Sequence, residues 1–385
     1  MFELNVSPRI LFGAGNISKL PEVVTSMGRR VLLVCGSREV TTARILALLN
    51  DRDFSIDVYR VVREPTVSDV AEGVTKAREF RPDVVLGVGG GSVLDAAKAI
   101  AAVSTNPGDL LDYLEVVGRG QALSEPGLPC IAVPTTSGTG AEVTRNAVID
   151  VPSQSTKVSV RGIYVVPRVA IIDSELTLSV SPELTAYTGF DALTQVIEPF
   201  LSRRHQPMTD GVAKEAIQMA AHALPSVYAN GANRQAREHM AWVSLMGGWC
   251  LTHAGLGAVH GFAGPLGGIL HAPHGALCAS LLAPTLAGNL DALRRDTSVD
   301  RTEDLARYRT LAQLLTSRPE ATADDAIVYL TDLTSRLGIP RLAYFGLTES
   351  QFGEVIERAQ RASSMQYNSI KLTAEQLEGI LRVAL

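Results

Sequence analysis

The sequence predicts an α/β fold in which an N-terminal doubly wound parallel sheet is followed by an all-α helical C-terminal domain. Three observations carry this. Up to residue 173, short apolar strand-like runs alternate with helix-length segments, which implies parallel pairing with right-handed crossovers. Glycines 89–91 join a buried strand to an Ala-rich helix. From Pro182 onward the chain turns to long Ala-rich periodic segments with almost no alternating β-branched runs. At 385 residues it is too long for one ordinary core, so two domains are expected, 1–178 and 179–385.

Residues 2–12 alternate as a strand, and Pro8 places it at a sheet edge. Gly13-Ala14-Gly15 ends it before a helix that Asn16 is placed to cap. Strands follow at 30–35, 55–61, 84–88, 130–133 and 169–172, with a hairpin at 146–161 and helices near 39–50, 67–80 and 92–104. Helical segments are expected at 182–202, 208–229, 233–254, 274–288, 301–316, 322–336, 349–362 and 373–383.

The stretch 84–98 has the form of a phosphate-binding turn. Three consecutive glycines open backbone conformations closed to other residues and remove side chains, so amides at a helix start can approach an anion; Ser92 and Asp95 fit a capping box there. In the usual dinucleotide fold the glycines follow the first strand, with an acidic residue about 20 positions later. Here the first good strand ends in Gly36-Ser37-Arg38 without a carboxylate, which suits a 2′-phosphate and favours NADP(H) over NAD(H). A second ligand-sized loop, Pro134 to Glu142, brings Thr135, Thr136 and Thr139 to the end of another strand.

In the helical half, Asp191 and Gln195 stand four apart and so share one helix face. His253, His260, His271 and His274 cluster among glycines. A carboxylate and imidazoles converging from separate helices build metal sites in bundles, and Asp with two His suits Fe(II) or Zn(II).

Composition narrows the function classes. Net charge is −5, with no basic surface for nucleic acid. Four scattered cysteines give neither a disulfide framework nor a zinc knuckle and point to the cytoplasm. A signal pattern and a bilayer-length apolar run are not expected, so neither is a membrane role.

Gly89-Gly90-Gly91-Ser92 with Asp95 and Lys98, Pro134-Thr135-Thr136 with Gly138-Thr139-Gly140 and Glu142, Gly189 with Asp191-Ala192-Leu193, and His260 followed by Pro273-His274-Gly275 together resemble the iron-containing (group III) alcohol dehydrogenases. The resemblance spans nearly the whole chain. It implies the dehydroquinate synthase-like fold, with a nicotinamide-binding α/β domain, a helical metal-binding domain and a cleft between them. It also implies a small alcohol or aldehyde as substrate, and a homodimer.

Carried over, Gly89, Gly90, Gly91 and Ser92, with Asp95, hold the pyrophosphate, and Thr135, Thr136 and Thr139 line the adenine or nicotinamide region. Asp191, His260 and His274 bind the metal, Fe(II) before Zn(II). The family has His where this chain has Gln195, so the fourth ligand is an amide oxygen or is lost. Gly264 replaces a histidine of the proton relay, which leaves His271 and His253 as the two alternatives for that role. Three other readings stay open: a metal-independent maleylacetate reductase-like enzyme, a dehydroquinate synthase-like lyase, and a non-catalytic dinucleotide-binding protein. The scarcity of basic residues between Asp173 and Gly275 argues against the lyase.

Overall fold

The structure, a computed structural model, describes residues 8–50 and 52–385; residues 2–7 of the expected first strand lie outside the described residues. Two compact units are present, one ending at Ser179 and the other spanning Val180–Leu385.

In chain order the first unit comprises β1 (Arg9–Phe12), α1 (Leu20–Thr25), β2 (Arg30–Cys35), α2 (Glu39–Asn50), β3 (Ser55–Arg60), α3 (Val67–Phe80), β4 (Val84–Gly89), α4 (Gly91–Ser104), α5 (Leu110–Tyr113), β5 (Cys130–Pro134), β6 (Asn146–Val151), β7 (Thr156–Arg161) and β8 (Val169–Ile172). Six strands form one parallel sheet in the order β1-β8-β5-β4-β2-β3, and β6 and β7 pair as an antiparallel ribbon. Alternation along β2 divides its side chains between two cores. Val31, Leu33 and Cys35 pack with residues of α1 and α2, while Leu32 and Val34 pack with residues of α3 and α4. The sheet is therefore doubly wound, as expected, and β1 lies at its edge. From β2 the chain runs outward to β3 and then returns across β2 to β4. The carboxyl ends of β2 and β4 thus flank the point where the winding reverses, the place where open α/β sheets take ligands.

Two local expectations fail here. Asn16 does not cap the next helix; Gly15 precedes a short 3₁₀ turn, and the Asn16 amide donates back to the Gly13 carbonyl at 3.2 Å. The Ser92/Asp95 capping box does not form either. Helix α4 begins one residue earlier, with Gly90 at its cap and no side-chain cap. Asp95 instead accepts from Lys98 Nζ at 3.1 Å and from the Val148 amide at 3.1 Å.

The second unit comprises α6 (Pro182–Leu201), α7 (Pro207–Ala229), α8 (Arg234–Ala254), α9 (Ala258–Leu270), α10 (His274–Arg295), α11 (Thr302–Thr316), α12 (Ala323–Arg336), α13 (Phe352–Arg361) and α14 (Ala374–Ala384). Ser181 caps α6 by accepting from the Leu184 amide at 3.2 Å, with Pro182 at the first helical position. Helix α6 then runs through the core against α7, α8 and α10. Helix α9 has no counterpart among the expected segments. Gly261, Gly264, Gly267, Gly268 and Pro265 oppose helix by propensity, and burial of Val259, Phe262, Ala263 and Leu266 overrides them. Helix α10 runs to Arg295, past the expected 288. Contrary to expectation it is long and apolar enough to cross a bilayer, but most of it is buried inside this unit, as in a core helix.

Candidate functional site

Helix α6 presents Asp191, Gln195 and Glu198 at i, i+4 and i+7, one face of the helix, and all three are buried. His260 sits in the first turn of α9, His274 opens α10, and Cys278 follows one turn later on the same helix. The start of α10 reaches α6 because residue 275 is glycine: a Cβ there would lie 2.2 Å from the Tyr187 carbonyl oxygen. Around this junction, donor atoms of Asp191, His260, His274 and Cys278 all lie within 4.8 Å of one another.

Oδ1 of Asp191 lies 3.3 Å from Nε2 of His260 and 3.7 Å from Nε2 of His274, yet it receives no aligned hydrogen bond. Sγ of Cys278 is 3.6 Å from His274 Nε2 and 3.9 Å from His260 Nε2. The far nitrogen of His260, Nδ1, pairs with Oε2 of Glu198 at 2.7 Å, while Oε1 of the same carboxylate accepts from the Val259 amide at 2.7 Å. Asn368 Oδ1 takes the neighbouring Ala258 amide at 3.1 Å. Glu198 therefore caps α9 and fixes the His260 tautomer together.

The electrostatics of the cluster follow from its composition. Burial alone would raise the Asp191 carboxyl, but His260, His274 and the Gln195 amide bonded to it hold it below the usual carboxylate range. Burial would lower both imidazoles. The Cys278 thiolate and Asp191 outweigh it at each, aided at His260 by Glu198, and His260 lies well above its ordinary value and His274 above it. Burial would raise Cys278, and the charges of His274 and His260 bring it down. Two anionic donors and two imidazoles thus share protons that a divalent cation would displace. A buried carboxylate oxygen left unbonded among nitrogen and sulfur donors is what such an ion needs, so these residues fit a metal.

Other expected residues stand apart. His271 is exposed at the left-handed C-cap of α9 (φ 51°), outside the donor cluster. His253 is buried, with Nδ1 2.7 Å from the Trp249 carbonyl and its ring on the Trp249 ring. A Cβ at Gly264 would meet open space. Gln195 bonds Asp191 from one turn away.

In the first unit, register sets Cys35 beside Val88 and Gly89 beside Pro134, and the Thr135 amide donates to the Gly89 carbonyl at 2.9 Å. The ends carrying Gly36-Ser37-Arg38, Gly89–Ser92 and Thr135 are thereby adjacent. None of the three glycines has a positive φ, contrary to the freedom expected of them. They serve close approach instead: a Cβ at Gly91 would lie 2.7 Å from Thr139 Cγ2, and one at Gly90 3.2 Å from Thr136 Oγ1. Arg38 is exposed, and Nη1 donates to Ser179 Oγ at 2.7 Å. Asp95 faces inward to the buried Lys98, whose ammonium also donates to Ala141 O, Thr144 Oγ1 and Asn146 O.

Sequence reasoning missed Glu198 and Cys278. Both carried a signal: Glu198 continues the Asp191/Gln195 face by three residues, and Cys278 lies four residues after His274.

A doubly wound parallel unit and a helical unit carrying a buried carboxylate, imidazole and thiol cluster fit the class of metal-dependent dinucleotide enzymes. Comparison with known proteins narrows this. Residues 7–174 match the family model for iron-containing alcohol dehydrogenase, and residues 185–385 match the C-terminal model of that family. The chain is 36% identical over 344 residues, 88% of its length and 85% of the relative's, to long-chain-alcohol dehydrogenase 1 of Geobacillus thermodenitrificans. Its fold superposes with a TM-score of 0.91, 31% identity and full coverage of both chains on the alcohol dehydrogenase from Oenococcus oeni. A sulfoacetaldehyde reductase from Bifidobacterium kashiwanohense in complex with NAD+ superposes with a TM-score of 0.88, 28% identity and coverage of 100% of this chain and 98% of that one. The chain belongs to the iron-containing alcohol dehydrogenase family, and its activity is that of an oxidoreductase on CH–OH groups.

Proposed function

We propose that residues 1–178 form the dinucleotide-binding domain and residues 179–385 the metal and substrate domain, with a divalent ion on Asp191, His260 and His274 and with Gln195 beside it. The observation that carries the metal reading is the buried, unbonded Oδ1 of Asp191 facing two imidazole nitrogens. When bound, the metal would supply Lewis acidity toward an alcohol or aldehyde oxygen and the nicotinamide would supply hydride chemistry. The chain's residues orient and bind. Glu198 holds His260 so that Nε2 faces Asp191, and Gln195 supports the Asp191 carboxylate. Amides at the uncapped start of α4 receive the pyrophosphate, with Gly89, Gly90, Gly91 and Ser92 as its floor and Thr135, Thr136 and Thr139 beside it. Gly36, Ser37 and Arg38, across the winding reversal, take the adenine ribose, and Arg38 favours NADP(H) over NAD(H). Asp95 supports the loop through Lys98. With glycine at 264, His271 is the proton-transfer group of this reading. The ion is iron(II) or zinc(II), the substrate a small alcohol or aldehyde, and the working state a cytoplasmic homodimer without nucleic-acid or membrane partners.

The test is metal content of protein purified without chelator, together with oxidation of short alcohols by NADP+ and NAD+ before and after metal stripping. Near-stoichiometric metal, with activity lost on stripping and restored by one divalent ion, is expected. Full activity of stripped protein would place the chain with the metal-independent, maleylacetate reductase-like branch.

A further inference from the structure

We propose that the thiolate of Cys278 is the fourth protein donor of the metal centre, completing an Asp191–His260–His274–Cys278 set suited to zinc(II) or cobalt(II). The inference rests on the metal reading above. Where the resemblance implies an imidazole on α6, this chain has Gln195, whose amide is engaged with Asp191. Cys278 reaches the same junction from α10. It stands one turn beyond His274, so both donors project from one face of a single helix.

The distances match a coordination sphere better than a hydrophobic contact. A tetrahedral ion with metal–sulfur bonds of about 2.3 Å and metal–nitrogen or –oxygen bonds of about 2.0–2.1 Å has sulfur–nitrogen edges of about 3.6 Å and nitrogen–oxygen edges of about 3.3 Å. The sulfur–nitrogen separations here are 3.6 and 3.9 Å, and the nitrogen–oxygen separations 3.3 and 3.7 Å. A buried cysteine acting only as a small apolar group would face carbon; this sulfur faces two imidazole nitrogens. Cys35, Cys130 and Cys250 are buried and take no part in the cluster. Coordination takes Cys278 as thiolate and both imidazoles as neutral donors, so the protons that the cluster shares are released to solvent. A thiolate donor shifts preference from iron(II) toward softer, borderline ions.

The experiment loads metal-stripped full-length protein with cobalt(II) and records its near-ultraviolet absorption, for the wild type and for Cys278→Ser and His274→Ala. The wild type should show an intense sulfur-to-cobalt charge-transfer band. Cys278→Ser, which keeps the other three cysteines, should lose the band and bind cobalt about 10–100-fold more weakly, with an unchanged circular dichroism spectrum. Cobalt bound stoichiometrically by the wild type and lost in His274→Ala, but without a charge-transfer band, would overturn the thiolate donor and leave the metal centre standing. Failure of the wild type to bind cobalt at all would overturn both.

Discussion

Nδ1 of His260 lies 2.7 Å from Oε2 of Glu198, and this contact decides that the other imidazole nitrogen faces Asp191 and Cys278. Since the same carboxylate also takes the Val259 amide at the start of α9, Glu198 orients both the ring and the helix that bears it. Glu198→Gln keeps the volume but has a single carbonyl oxygen for two donors. It should weaken metal binding about 10–100-fold, measured by competition with a chromophoric chelator. One buried donor left without a partner should cost a further ~1–3 kcal/mol of stability.

Gly275→Ala places a methyl group 2.2 Å from the Tyr187 carbonyl oxygen, which belongs to backbone and cannot swing aside. The variant should lose about 1–3 kcal/mol of stability. Because the same contact sets His274 against Asp191, metal content after dialysis should fall with the thermal midpoint. A midpoint near wild type with full metal retention would contradict the role given to this approach.

Gly91→Ala should act on the other unit. Its Cβ would meet Thr139 Cγ2 at 2.7 Å and displace the start of α4, raising the dissociation constant for dinucleotide while leaving metal content intact. Thr139→Ala in the same chain should restore part of the affinity, since it removes the methyl and hydroxyl that collide. Fluorescence titration with NADPH reads both.

Arg38→Ala should reduce the preference for NADP+ over NAD+ by about tenfold or more, the equivalent of one hydrogen bond to a charged group. The ratio of kcat/KM for the two cofactors measures this. An unchanged ratio would assign Arg38 to its Ser179 contact alone.

Glu142 gives a pH signature of stability. Burial pushes its carboxyl up to about 7 from an unfolded value of 4.5, against the pull of its own backbone hydrogen bond and of Lys98. The folded state therefore binds more protons than the unfolded state between these values. Stability is full below about pH 4.5, falls as pH rises through about 7, and is then flat; this group accounts for on the order of 3 kcal/mol of the fall. Glu142→Gln should remove that fall, as read by urea unfolding at several pH values.

The alternation of strands and helices was legible because each buried strand is a short apolar run bounded by turn residues, and β2, β4 and β5 stand where those runs lie. Helix α9 was not legible. Its glycines and proline speak against helix locally, and only the packing of Val259, Phe262 and Leu266 explains it. Gly90 and Gly91 illustrate a different gap: their presence was readable, but their reason is the proximity of Thr136 and Thr139, which are more than 40 residues away in sequence. At the donor cluster, Asp191, His260 and His274 were legible as residue types. Glu198 and Cys278 became apparent only when helical spacing was followed beyond the first pair on α6 and beyond His274 on α10.

Strand β8 lies between β5 and β1, with Arg9 in register with Val169 and Phe12 with Ile172. The Ile17 amide, just beyond β1, donates to the Asp173 carboxylate just beyond β8. During synthesis, β1 consequently leaves the ribosome without its neighbour and waits about 160 residues for it, while β2, β3 and β4 can already assemble. Nascent chains halted before residue 169 should therefore hold a partial sheet with its first strand still open to proteases, and extension through Asp173 should close it.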